Sequence, residues 1–145
     1  MLLKRKEETM QLKRDTEYAM RIMIYIAELQ KENGQQAGVP SSNMIAKAGI
    51  PIVSFNRISD RLEEKGLIRK EASVEGESWL YPGSGFWKQS ILSIGEAVEG
   101  NMKIFDVFDR NSYISQTYGK VLLETQRDLE QILSEKTLES ILNGR

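Results

Sequence analysis

The sequence contains no cysteine and no histidine. Those absences remove disulfides, thiolate–zinc sites, cysteine-ligated iron–sulfur clusters, thiol nucleophiles and histidine-based catalytic triads. A conventional hydrolase is left with little to work with. The compartment is not fixed by them, since a reducing cytosol merely permits a thiol-free chain. Long apolar runs are also missing. The longest, around residues 22–27, is too short and interrupted to cross a bilayer. Leu2 and Leu3 lie among charges with no apolar core behind them, so no secretory signal is expected. What remains is a globular composition, 40% hydrophobic and 28% charged over 145 residues. That length suits one domain, burying about 68–70% of its unfolded surface.

The net charge of −1 hides an asymmetry. Residues 1–70 carry 13 Lys+Arg against 9 Asp+Glu, whereas residues 71–145 carry 7 against 12. A basic first half points to an anionic partner for that half, although such an excess is also common on solvated surfaces.

Residues 1–9, MLLKRKEET, are charged and aperiodic and read as a flexible extension. From Lys13 the residues Tyr18, Ala19, Ile22, Met23, Ile26 and Leu29 recur at helical steps, and Asn33-Gly34 ends the run. Residues 35–39 read as loop. Pro40-Ser41-Ser42-Asn43 offers several N-caps for a short helix carrying Met44, Ile45, Ala46 and Ala48. Gly49-Ile50-Pro51 is a turn, and a third helix follows with Phe55, Ile58 and Leu62 on one face, stopped by Gly66. Two short helices joined in this way describe a helix-turn-helix. Leu67-Ile68 then opens a strand, residues 74–77 form a tip and Trp79-Leu80-Tyr81 returns, which makes a β-hairpin wing. Residues 91–98 form a short helix closed by Gly100.

The last third reads differently. Ile114, Tyr118, Val121, Thr125, Leu129 and Ile132 form a nearly continuous apolar seam. A helix of roughly 20 residues is ~30 Å long, so it either lies across the domain or pairs with a second copy. The fold class is therefore mainly α with a small β-hairpin wing. Residues 10–100 form the winged helix-turn-helix domain, and residues 101–145 supply a connecting loop, a long helix and a short C-terminal helix.

The segments LKRDTEYAMRIMIYIAE (residues 12–28), Ile45-Ala46, GIPIVSFNRISDRLEEKGLI (residues 49–68), EAVEG (residues 96–100) and TLESIL (residues 137–142) stand in a specific order and spacing. Together they resemble the Rrf-type winged helix-turn-helix transcriptional regulators, the bacterial family that includes IscR, NsrR and CymR. The resemblance runs from Met10 to Leu142. It implies a cytoplasmic regulator, a homodimer formed by the long C-terminal helix, and double-stranded DNA with a palindromic operator as the partner. Many members hold an iron–sulfur cluster on cysteines in the stretch that is NMKIFDVFDRNSYI (residues 101–114) here. Val107 stands about where the first such cysteine would fall, and Asp106 and Asp109 cannot hold a cluster alone. The resemblance is therefore to a cluster-free branch, with no cofactor and no metal expected.

In a helix-turn-helix the second helix enters the major groove by its N-terminal end. With Phe55, Ile58 and Leu62 inward, Val53, Ser54, Asn56 and Arg57 are expected to face outward there, with Arg61 one turn on. Asn suits adenine and Arg suits guanine. The bland alternative is a solvated face on which Arg57 and Arg61 pair with Asp60, Glu63 or Glu64. Lys13 and Arg14 are expected on phosphates, as are Ser41 and Asn43, for which capping is the competing role.

The wing departs from the family pattern. Residues 71–78 hold one glycine, no arginine and three glutamates, which phosphates repel by a salt-screened amount. Trp79, Tyr81, Phe86 and Trp87 cluster around it, as wing core or as a stacking pocket for a small effector that the sequence does not identify. The leading reading is a DNA-binding regulator. The runner-up is a dimeric protein-interaction module that uses the acidic wing. An enzyme comes third, because no nucleophile–base pair or phosphate loop accompanies Asp106 and Asp109.

Overall fold

Apolar side chains at three- and four-residue steps put one stripe of the first helix into the core. Ala19, Ile22, Met23, Ile26 and Ala27 are fully buried along it, as a 3.6-residue period requires. This helix, α1, spans Leu2–Asn33 in the computed structural model. The structure describes residues 2–34, 36–73, 75–103 and 113–143, with the side chains of 14–34, 36–73, 75–103 and 116–143. The helical backbone thus begins well before Lys13, where the sequence pattern suggested a flexible extension. Residues 2–12 are mostly Leu, Lys, Arg, Glu and Gln, with neither glycine nor proline, so nothing local stops the helix.

The chain continues through β1 (Val39–Pro40), α2 (Ser41–Ala48), α3 (Ile52–Glu64), β2 (Ile68–Ala72), β3 (Ser78–Pro82), a 3₁₀ turn at Phe86–Lys88, α4 (Ile91–Glu99), α5 (Tyr113–Glu135) and α6 (Leu138–Asn143). Gly49 closes α2 in the left-handed region, at φ 67°, where a Cβ would be strained. Pro51 then opens α3. Phe55, Ile58 and Leu62 are buried in the core that α1 also lines. Truncating one of them, as in Leu62→Ala, would cost about 2–5 kcal/mol.

The sheet has three antiparallel strands in the order β1-β3-β2. Lys70 and Val39 flank Leu80 from opposite sides, and Ile68 pairs Pro82. The short β1 lies in what the sequence suggested was loop and helix start. Two residues are too few to show a period, and Pro40 is tolerated because β1 is an edge. Beside it, a Cβ on Gly38 would fall 2.7 Å from the Tyr81 ring, so only glycine lets that ring lie so close to the backbone.

Ser90 and Ser93 form a reciprocal capping box at the start of α4. Met102 then fills the space over Gly95, and its carbonyl accepts from Gln126 Nε2 at 2.9 Å, which ties α5 to the body. The expected seam divides along α5. Leu122, Gln126, Leu129 and Leu133 are buried or half-buried, whereas Tyr118, Val121, Thr125 and Ile132 are exposed. Thr125 Oγ1 donates back to the Val121 carbonyl at 2.8 Å. The side chain of Ile114 lies outside the described residues. α6 returns to the N-terminal core: Leu138 and Leu142 are buried there, and Lys31 Nζ donates to Asn143 Oδ1 at 3.1 Å. Among the described residues no helix is long and apolar enough to cross a membrane.

Candidate nucleic-acid interface

The first turn of α3 is the most exposed apolar part of the helix-turn-helix. Val53 is 76% exposed and Ile52 61%. Asn56 is exposed one turn on, and Ser54 is half-buried. The turn carries no acidic residue, and its N-cap, Pro51, supplies no side-chain acceptor. Its leading N–H groups are therefore available to an anion or a base edge. Val53, Ser54 and Asn56 were expected at this end from sequence; Ile52, directly after the turn at Gly49-Ile50-Pro51, was not among them.

Arg57, half-buried, and Arg61, exposed, are both bonded to neighbouring elements, which sequence reasoning did not anticipate. Arg57 Nη1 and Nη2 donate to Asp15 Oδ2 and Oδ1 at 2.6 and 2.9 Å. The Asp15 carboxylate is only 8% exposed, and a buried charge needs such a partner. Hydrogen bonding to Asp15 raises the Arg57 pKa above its usual value, against the opposing effect of burial. Arg61 Nη1 donates to the carbonyl of Val98, in the last turn of α4, where helical carbonyls lack intrahelical partners. The partners anticipated for a bland surface are otherwise engaged: Asp60 binds Lys70 Nζ at 2.5 Å, and Glu63 accepts from the Lys70 amide at 3.1 Å. Both arginines brace α3 against α1 and α4.

Close to that brace lies Glu99, half-buried, whose Oε1 is shut away from solvent without a hydrogen-bond partner. Burial pushes its pKa up; hydrogen bonds from Thr16 oppose the shift and the Asp15 charge adds to it.

At the start of α2, Ser42 and Asn43 are exposed and Ser41 is half-buried. Ser41 does not cap the helix, because the N-cap position is Pro40. The acceptor comes instead from the wing: the Ser42 amide donates to Glu77 Oε1 at 2.8 Å. Hydrogen bonding from Ser42, first from its side chain and then from this amide, holds the Glu77 carboxyl below its ordinary pKa. Arg14 is exposed on α1, and the side chain of Lys13 lies outside the described residues.

The wing's other charges are partly internal. Arg69 lies 3.2 Å from Glu71 and 5.2 Å over the Tyr81 ring, and Glu75 stands exposed at the tip. The four aromatic residues do not form one pocket. Phe86 is buried edge-on against Trp87, and a cleft of about 370 Å³ beside them is lined by Gln30, Gln36 and Lys88 but not by Trp79 or Tyr81.

The donor set does not fit the clusters of iron–sulfur regulators. The chain has no thiol or imidazole, and among the described residues no three acidic side chains gather as a metal site. Asp106, Val107 and Asp109 lie outside the described residues.

The sequence matches the family model described as "Rrf2: Iron-dependent Transcriptional regulator" over residues 12–144. No curated protein matches the chain. Among solved structures it is similar to B. subtilis CymR, described as the global cysteine regulator, at TM-score 0.71 and 14% identity, covering 90% of this chain and 95% of that one. Staphylococcus aureus CymR follows at TM-score 0.67 and 16% identity, over 88% and 94%. IscR of T. potens aligns at TM-score 0.64 and 18% identity, over 90% and 84%. At such identities the neighbours speak for the winged-helix fold; the family model speaks for the class. The chain belongs to the Rrf2 family of transcriptional regulators and is not an enzyme.

Proposed function

We propose that the chain acts in the cytoplasm as a homodimeric DNA-binding regulator that reads a palindromic operator through α3, without an iron–sulfur cluster. The observation that carries this reading is the first turn of α3, exposed at Ile52 and Val53 and free of carboxylates. A helix end of this kind fits the major groove, which is about 12 Å wide. Val53, Ser54 and Asn56 are assigned to base edges. Arg14, Ser41 and Asn43, with Lys13, are assigned to the backbone. Arg57 and Arg61 hold the reading helix in place. The absence of cysteine and histidine supports a regulator whose signal is something other than a thiol-ligated cluster.

Titration of the purified chain with duplexes it selects from a random pool tests this. Affinity should fall steeply with salt, by roughly 0.9 log units per log unit of salt for each phosphate neutralised. A scrambled duplex should bind at least about tenfold more weakly, as the loss of base contacts requires. No duplex affinity even at low salt would leave the protein-interaction module as the reading.

A further inference from the structure

We infer that Ile52 and Val53 are specificity determinants, reading the C5 methyl groups of thymines in the major groove. The inference rests on the DNA-binding function proposed above and names the chemistry of its base contacts. Two β-branched side chains stand exposed by 61% and 76% on adjacent positions of the first turn of α3. The rest of the helix behaves as its pattern requires, with Phe55, Ile58 and Leu62 buried. The pair is therefore not surplus core.

A helix opening in solvent ordinarily carries residues that cap or complement its dipole. This one begins Pro51-Ile52-Val53, with no acid in its first turn. Apolar contact at this place has few chemical partners. Of the four bases, only thymine presents a methyl group in the major groove. A polar neighbour matches a groove: exposed Asn56 lies one turn along the same helix. Asp60, another turn on, has its charge held by Lys70 and does not stand as a free repeller of phosphate.

A protein partner fits less well. Stable interfaces bury about 800 Å² on each side, and two side chains on the convex end of one helix offer a small fraction of that. Valine and isoleucine also have stiff χ1 angles, so they lose little freedom when a groove closes round them.

Deoxyuridine differs from thymidine only by the missing methyl, which makes it the probe. In duplexes selected by the full chain, each thymine of a half-site is replaced in turn by deoxyuridine. Dissociation constants are measured for the wild type, Ile52→Ala and Val53→Ala. One or two replacements in each half-site should weaken the wild type by about three- to tenfold, the scale of one or two buried methyl contacts. At those positions the same replacement should cost the corresponding variant less than about twofold, since its contact is already gone. Equal binding of every deoxyuridine duplex, with the scrambled duplex still rejected, would overturn the inference and leave the regulator reading intact. A cost that persists undiminished in both variants would overturn it too. Failure to select any duplex would instead take down the DNA-binding reading on which it stands. Both side chains are exposed, so unchanged thermal midpoints are expected in the variants.

Discussion

Asp15 and Arg57 share two hydrogen bonds but not their surroundings. The carboxylate is 8% exposed and the guanidinium 38%. Arg57→Met would strand a buried charge and should cost about 3 kcal/mol, the low end for a broken buried pair because one partner reaches water. Asp15→Asn leaves a guanidinium that can hydrate and also removes the repulsion on Glu99, so it should cost about 1 kcal/mol. Urea unfolding of the two variants measures the difference; equal losses would mean the pair behaves as a surface bridge. Glu99 gives a second residue-scale prediction. Its folded pKa lies above the ordinary 4.5, so folding favours its protonated form, and stability is lost as pH rises from 4.5 through the raised value. The thermal midpoint of Glu99→Gln should therefore exceed that of the wild type at pH 7, by a margin that shrinks as pH falls through the raised value toward 4.5. A margin independent of pH would show that the charge of Glu99 is not what strains the site.

At the scale of elements, α2 depends on a residue of the wing for its cap. The Glu77 carboxyl sits on the Ser42 amide, and its folded pKa is lowered. A lowered acid contributes stability above its unfolded value that disappears as pH falls through the folded one. Glu77→Ala should lower the thermal midpoint at pH 7 and match the wild type once the solution is acid enough to protonate the wild-type carboxyl. The same change frees a helix N-terminus for phosphate, so Glu75→Ala with Glu77→Ala should leave duplex affinity unchanged or higher. Abolished binding would make the wing the reading element. The cap also marks where sequence reasoning stops. The stripes of α1 and α3 and the turn at Gly49 were legible because local period and backbone chemistry determine them. The Glu77–Ser42 contact spans 35 residues and the Arg57–Asp15 pair 42, and no local pattern encodes such distances. The outward reading of Arg57 failed for that reason: helical phase gives a direction, whereas a long side chain goes where an acceptor lies.

For the whole molecule the open question is what covers α5. At 23 residues the helix is about 34 Å long. One side packs on the body through Leu122, Gln126, Leu129 and Leu133. The other leaves Tyr118, Val121 and Ile132 at 39%, 59% and 53% exposure. Leu129, which shares the expected seam, is half-buried and sits at the edge between the two sides. A patch spread along more than three turns is long enough for helix pairing, and a two-fold pair would present two copies of α3 to the two halves of a palindrome. Val121→Glu with Ile132→Glu places carboxylates on the exposed face and leaves Leu129 in its packing. The expected result is a folded chain of half the wild-type mass by light scattering. Its affinity for a selected palindrome should fall by at least about a hundredfold, because linkage of the two half-sites is lost. Its salt-dependent affinity for a single half-site should persist. A variant that keeps the wild-type mass would mean that the exposed face of α5 is not the dimer contact and that its apolar residues await some other partner.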